Sequence, residues 1–203
     1  MIKIIIFDFD GVIENTYEKH FQLSKKQFKN LTREEHRELF EGNIYEKREK
    51  LKNRDTGFNT HDKMDELRDE LIINDEIKNN LIKLSNKYKL GIITSAGEKK
   101  LYDYFKRNDL NKIFSFILGF ETHKSKVEKF KIVINNYDFK NNEIIFITDT
   151  LGDIIEANEL KIKTIAVDFG YHENERLKKG NPERIISDFF EIIGAVNDID
   201  KKV

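Results

Sequence analysis

The chain has 203 residues, 38% hydrophobic and 11% aromatic, enough for one core domain with a modest insertion and too apolar for a disordered segment. Its 36 Lys+Arg nearly cancel its 37 Asp+Glu, so no broad field of either sign draws it to nucleic acid or to an anionic membrane. Cysteine is absent, which excludes disulfides, thiolate-bound zinc, iron–sulfur clusters and a thiol nucleophile, and leaves carboxylates and imidazoles for any metal site.

The opening MIKIIIFDFD predicts a strand over Ile2–Asp8. Asp8 interrupts the apolar run before the roughly 7–15 residues of a signal peptide's core are complete. No window approaches the roughly 18 apolar residues of a membrane span, and neither end carries a lipidation motif. A soluble cytoplasmic protein, monomer or homodimer, is the expectation.

From Thr16 to Ser85 no strand-like run occurs, while Lys, Glu, Arg and Asn abound. Met64, Leu67 and Leu71 are spaced for one helical face; Phe21, Phe28, Leu31, Leu39 and Phe40 could line others, with Gly42 and Gly57 as breaks. A structureless excursion of that length is out of place in a compact domain. Residues 16–85 are therefore expected to be a helical cap inserted between the two pieces of a core, 1–15 and 86–203. Ile77, Leu81 and Leu84 repeat a helical stripe just before the next strand.

Strands are predicted over Leu90–Thr94, Glu143–Asp149 and Ile162–Asp168, with a weaker one at Ser115–Leu118. Helical stripes fall on Val127, Phe130 and Ile134 and on Leu151, Ile154 and Ile155. Near-continuous Ile/Val runs belong to strands covered on both faces, and alternation with helices means βαβ units. The predicted fold class is α/β: a Rossmann-like three-layer core with a mostly parallel sheet plus the inserted cap. Asp168 to Pro182 reads as a polar loop, followed by a short strand at Arg184–Ile186 and a helix near Asp188–Ile193; the last residues are expected to fray.

In open α/β sheets ligands bind beyond the carboxyl ends of the strands. Here the first strand closes in Asp8-Phe9-Asp10-Gly11-Val12, the second in Thr94-Ser95, and the fourth in Asp149-Thr150-Leu151-Gly152-Asp153. Carboxylates packed together repel and lose solvation unless a cation joins them. Mg²⁺ suits the set, because it takes one or two carboxylates and completes its shell with water and phosphate. The five histidines, His20, His36, His61, His123 and His172, have no zinc-ligand spacing and read as ordinary surface residues. His172, with Asp168 in the same loop, is the one placed to reach the mouth of the site. Glu14, Asn15 and Thr16 mark the exit into the insert, and Arg33, Arg37, Arg48 and Arg54 within it could grip a second acidic group.

These motifs resemble those of the haloacid dehalogenase-like hydrolase superfamily. Asp8-Phe9-Asp10-Gly11-Val12 looks like its first motif, Leu90–Thr94 its second, the Lys124–Lys126 region its third and Ile144–Asp153 its acidic fourth. The insert is similar to the cap of phosphoglycolate phosphatase-like members, so the resemblance covers essentially the whole chain. It implies a Mg²⁺-dependent phosphatase of a small phosphorylated metabolite. Asp8 would be the nucleophile that forms an aspartyl-phosphate. Asp10 would protonate the leaving oxygen and later deprotonate water, a task calling for a carboxyl lifted toward neutrality, with nearby Asp8 as the source of the lift. Mg²⁺ would sit on Asp8, Asp149 and the backbone carbonyl of Asp10.

Thr94, with Ser95 beside it, would bind a phosphoryl oxygen, and a lysine would add positive charge to the same group. The Lys-Pro pair common in relatives is missing from ETHKSKVEKF; Lys126 fits better, and Lys124 fits an alternative alignment. Asp153 either orients the lysine or a metal-bound water, or is a first-turn acid favoured by the helix dipole. Thr148 stands where relatives commonly have glycine. Three rivals share the fold: a mutase, a haloacid dehalogenase, and a silent binding module, which the retained Asp8, Asp10, Thr94 and Asp149 disfavour.

Overall fold

The computed structural model describes residues 1–201. The final two residues, on which the expected fraying falls, lie outside the described residues. Six strands, β1 (Ile4–Phe7), β2 (Lys89–Ile93), β3 (Phe114–Leu118), β4 (Ile144–Thr148), β5 (Lys163–Val167) and β6 (Arg184–Ile186), form one sheet in the order β3-β2-β1-β4-β5-β6. Every neighbouring pair is parallel.

The apolar runs work because each strand's two faces are both covered. Ile5, Phe7, Leu90, Ile92, Ile145, Ile147, Ile165 and Val167 share one cluster with Leu81 and Leu84 of α5 (Asp75–Ser85), Leu101, Tyr104 and Phe105 of α6 (Glu98–Arg107), and Ile192 and Val196 of α10 (Glu191–Asp200). Their alternates Ile4, Ile6, Ile93, Ile144 and Phe146 face the opposite way. They pack on Phe130 and Val133 of α7 (Lys126–Tyr137) and Ala157 of α8 (Leu151–Glu159). This parity, with helices on either side, is what a parallel sheet requires.

Several details differ from the sequence reading. α6 is an additional helix, built on Leu101, Tyr104 and Phe105 at i, i+3 and i+4. Ile155 points to solvent at 43% exposure, and Ala157 takes the buried place on α8. The stretch expected as a loop after Asp168 holds one turn of helix, α9 (Asn174–Leu177), and α10 begins later and runs further than Asp188–Ile193. Among the described residues no helix is long and apolar enough to cross a membrane.

Between β1 and β2 the chain is helical: α1 (Tyr17–Gln27), α2 (Arg33–Glu38), α3 (Ile44–Glu49), α4 (Thr60–Arg68) and then α5. The Thr32–Glu35 capping box starts α2, and Asn43, Asn59 and Asn74 side chains cap α3, α4 and α5. Phe21, Phe28, Leu31, Leu39 and Met64 are buried. α5 lies on β2, whereas α1 packs on α4, and the α1–α4 segment meets the loops that follow the strands: Gly152 N–H donates to Phe40 O at 2.8 Å and Asn43 Nδ2 to Lys124 O at 3.3 Å.

At Gly91 on β2 a Cβ would lie 2.3 Å from the Phe116 ring. Gly91→Ala is expected to cost about 1–3 kcal/mol through overpacking, visible as a fall of several degrees in Tm by calorimetry.

Candidate active site

The strand order reverses between β1 and β4, and at such a switch point the connections leave on opposite faces and open a crevice at the carboxyl ends. Asp8 and Asp149 are the residues that follow these two strands. The Asp8 N–H donates to Ile147 O at 2.9 Å, carrying the ladder one residue past β1. Its Oδ1 accepts the Phe9 N–H at 2.6 Å, and its Oδ2 lies 2.6 Å from Lys126 Nζ.

Lys126 opens α7 and is shared. Its ammonium also lies 2.6 Å from Asp153 Oδ2, and the three side chains are only 4–11% exposed. Burial pushes the Asp8 carboxyl up, the Lys126 charge draws it back and Asp153 adds to the rise, leaving it at about 6. For Lys126 burial acts downward, but Asp153 and Asp8 outweigh it and the ammonium is held above its usual range. Thr148, the residue in the glycine position, has a use here: its Oγ1 donates to Asp153 Oδ2 at 2.6 Å.

Lys124 has a different place. It is exposed at the cavity rim with its ammonium 5.4 Å from the Tyr45 ring centroid, and is absent from the Asp8 cluster. A cation at a helix N-terminus opposes the dipole, and Glu156 of α8 answers it by accepting from Lys126 N and Ser125 Oγ, each at 3.0 Å. Thr94 and Ser95 both line the cavity, Thr94 Oγ1 accepting the Ala96 N–H at 3.2 Å. Lys129, unremarked in the sequence, is fully buried and donates to Thr94 O; burial foremost, then Lys126, lowers its ammonium to about 8. Its i+3 spacing from Lys126 was the available signal.

Asp149 is fully buried. Its Oδ2 accepts the Tyr171 N–H at 2.7 Å, while Oδ1 is enclosed without a hydrogen-bond partner. Burial and then the Asp8 charge push its carboxyl well above the usual range. A Cβ at Gly11, where φ is +82°, would fall 1.9 Å from Asp149 Oδ2, so only glycine lets the first loop pass this close. Among the described residues no set of three or more His, Asp or Glu side chains closes on one point. A free carboxylate oxygen beside a second carboxylate, under a backbone loop, fits a cation that completes its shell from carbonyl, water and substrate oxygens, as Mg²⁺ does.

Asp10 has partners the sequence did not suggest. Its Oδ2 pairs with Arg68, a buried residue of α4 that also meets Asp65 at 2.7 Å, and Asp8 is not among its hydrogen-bond partners. Arg68 shares a helical face with Met64, four residues before it, and that was the legible sign. Asp10 Oδ1 ends a chain of hydrogen bonds: Arg48 Nη2 to His20 Nε2 at 3.1 Å, His20 Nδ1 to Tyr171 Oη at 2.9 Å, Tyr171 Oη to Thr16 Oγ1 at 3.2 Å, and Thr16 Oγ1 to Asp10 at 2.8 Å. A guanidinium only donates, so His20 Nε2 accepts, and each later link must donate toward Asp10. Burial foremost holds His20 neutral, which this direction requires.

The histidines are thus not all surface residues. His20, His36 and His172 are buried, His20 and His36 among Tyr17, Phe40 and Tyr171, because the insert closes an aromatic cluster around them. Burial lowers His36 to about 3 and His172 to about 4. His172 does not reach the cavity: Nδ1 accepts the Leu151 N–H and Nε2 donates to Arg37 O, both at 2.9 Å, tying α8 to α2. Asp168 is likewise occupied elsewhere, with Asn174 and Ser187. Glu14 takes the Tyr104 hydroxyl.

A cavity of about 90 Å³ lies among Asp8, Asp10, Thr94 and Lys126 on the sheet side and Tyr45, Arg48 and Arg68 on the insert side. A family model described as haloacid dehalogenase-like hydrolase matches residues 5–167. The phosphoglycolate phosphatase of Photorhabdus laumondii is 22% identical over 125 residues, 60% of this chain and 53% of the relative, so the chain spans about half the length of the curated relative it matches. Among solved structures, a predicted phosphatase from Clostridium acetobutylicum aligns with a TM-score of 0.76 at 19% identity, covering 98% of this chain and 99% of that one. A hydrolase from Pseudomonas syringae aligns with a TM-score of 0.76 at 17% identity, covering 97% and 99%. At such identities the likeness is one of fold.

Removing one partner of a buried charge cluster strands the others. Lys126→Met is expected to cost about 3–5 kcal/mol in urea unfolding, against less than about 0.5 kcal/mol for Lys124→Met. Because burial raises both carboxyls, Asp8 to about 6 and Asp149 well above its usual range, a divalent cation held between them would have to displace their protons, and its affinity should weaken as the pH falls through and below about 6. Calorimetric titration in buffers of different ionisation heat measures both the affinity and the released proton; an affinity independent of pH across that range would contradict it.

Proposed function

The chain belongs to the haloacid dehalogenase-like hydrolase family, and from that premise we propose that it is a Mg²⁺-dependent phosphatase of a small phosphorylated metabolite, working through an aspartyl-phosphate on Asp8. The observation that carries the proposal is the buried Asp8 carboxylate at the switch point, 2.6 Å from Lys126 and next to the unpartnered oxygen of Asp149. The phosphatase names of the Photorhabdus and Clostridium proteins agree with it.

One Asp8 oxygen attacks phosphorus while the bond to the alcohol oxygen breaks, and Asp10 supplies the proton the leaving alkoxide needs. In the second half Asp10 takes a proton from water, whose oxygen attacks the phosphorus and releases phosphate and the Asp8 carboxylate. Lys126 and Thr94 offer donors to the equatorial oxygens as charge spreads over them. Mg²⁺, when bound on Asp8, Asp149 and the Asp10 carbonyl, neutralises phosphate charge so that an anionic nucleophile can approach. Asp153 and Thr148 act through Lys126, holding its ammonium toward Asp8. The inserted segment, residues 16–85, serves through its helices α1–α4 as a cap over the core, residues 1–15 and 86–203: Arg68 and the Arg48–Asp10 chain join it to the reacting carboxylates, and its closure excludes water from the bond being broken. Arg68 must share Asp10 with the leaving oxygen for the transfer to occur.

Phosphate release from an aryl phosphate and a panel of phosphorylated small molecules, with and without Mg²⁺, tests the proposal. Metal-dependent turnover should fall by at least about 10³-fold in Asp8→Asn. Turnover equal in wild type and Asp8→Asn, or halide release from a haloacid without metal, would reject it.

A further inference from the structure

Four Lys and Arg residues among the described ones are buried, and three of them meet carboxylates. Lys126 meets Asp8 and Asp153, Arg68 meets Asp10 and Asp65, and Arg176 meets Glu34 and Glu173. Lys129 is the exception: it is 0% exposed and, among the described residues, has no carboxylate within 4.0 Å. Its hydrogen bond runs from Nζ to the Thr94 carbonyl oxygen. An ammonium has three donors, so this one gives up its water for a single neutral acceptor. Its setting adds to the cost. Lys126 stands three residues before it on the same face of α7, and both cations lie in the first turn, where the helix dipole opposes them. Burial and Lys126 outweigh the pull of Asp8 at the end of β1 and of Asp153 and Glu156 on α8, which lowers this ammonium to about 8. Packing alone would be served better here by an apolar side chain of similar length.

What the bond does follows from the peptide it holds. Thr94 N–H donates to Leu118 O at 3.0 Å, extending the pairing with β3 one residue past β2. Thr94 and Ser95 line the cavity and Lys129 does not, so the bond draws the Thr94 carbonyl back from the cavity, toward α7. In a trans peptide the C=O and the following N–H point in opposite directions, and among the described residues no peptide bond is cis. Holding Thr94 O toward α7 therefore turns the Ser95 N–H toward the cavity, where it has no acceptor among the described residues. Thr94 Oγ1 accepts the Ala96 N–H at 3.2 Å, which leaves its own proton to donate. A carbonyl bonded to a cation is also polarised, which makes the N–H of the same peptide a stronger donor.

We propose that Lys129 is a positioning residue: from behind Thr94 it fixes and polarises the Thr94–Ser95 peptide, so that the Ser95 N–H and the Thr94 hydroxyl present two aimed donors to the phosphoryl group. The proposal rests on the phosphatase reading of the same cavity. The two buried lysines of α7 then divide the work. Lys126 faces Asp8 and the reacting group, whereas Lys129 touches no substrate and acts through the backbone of Thr94.

The test compares wild type with Lys129→Met, a change that keeps length and volume, in aryl phosphate turnover with Mg²⁺, in orthovanadate inhibition and in urea unfolding. kcat should fall about 10- to 100-fold while KM changes by less than about threefold, because donors aimed at the spreading charge act in the transition state. Orthovanadate can take the five-coordinate shape of the transferring group, so its inhibition should weaken by the same factor as kcat/KM. The urea midpoint should stay equal or rise, since a buried charge is removed. Lys129→Gln, neutral but polar, repeats the comparison with a different shape and should lose kcat in the same way. A wild-type kcat in both variants, or a loss confined to KM, overturns the positioning role alone and leaves the phosphatase standing. A lower urea midpoint in both variants overturns it too, because Lys129 would then serve packing. No phosphate release by wild type overturns the phosphatase reading and this role with it.

Discussion

A single ammonium between two carboxylates, all three shut away from water, is the constraint on which this site depends. Lys126, Asp8 and Asp153 come from a helix start, a strand end and another helix start, and their two contacts are both 2.6 Å. Any one of them buried alone would be costly, and the cluster is tolerable because charge and hydrogen bonds are matched in it. That match fixes much of the surroundings. It sets where α7 begins, it calls for Glu156 to offset a cation at a helix N-terminus, and it makes Thr148 useful where a glycine would leave Asp153 with one donor fewer.

The sheet makes this cluster possible without contributing a charged side chain from within a strand. Alternate residues of β1, β2 and β4 fill two separate apolar clusters, so helices must cover both faces. The reversal of strand order then separates the connections after β1 and β4. Carboxylates that would be intolerable one residue earlier in either strand are tolerated just beyond its end. Backbone donors there are free to receive them, as Phe9 N–H does for Asp8 and Tyr171 N–H for Asp149.

The seam between the insert and the rest is made differently. Arg68 on Asp10, His172 on Arg37 O, the Gly152 N–H on Phe40 O and the chain from Arg48 to Asp10 are directional polar contacts. Beside them lies an aromatic contact, Tyr17 and Phe40 of the insert against Tyr171 with ring centroids 5.2 and 4.7 Å apart, so the seam combines directional bonds with apolar burial. It also couples the wall that bears Arg48 to the Asp10 carboxylate.

The sequence alone was sufficient for whatever depends on a local pattern. Unbroken Ile/Val runs located the strands and their burial on both faces, and the polar residue closing each run marked Asp8, Thr94 and Asp149 as companions at one edge. Asp153 and the rival lysines 124 and 126 were legible in the same way, from spacing to a helix start. What the sequence left undecided were the partners of charges, because these are set by residues far apart in the chain. Nothing local tells that Lys126 meets Asp8 across 118 positions, that Arg68 reaches Asp10 across 58, or that Arg48 is the insert arginine left without a carboxylate. The buried histidines were misread for the same reason: an imidazole looks alike in sequence on a surface and inside an aromatic cluster, and only the packing of α1 and α2 against the Tyr171 loop decides which it is.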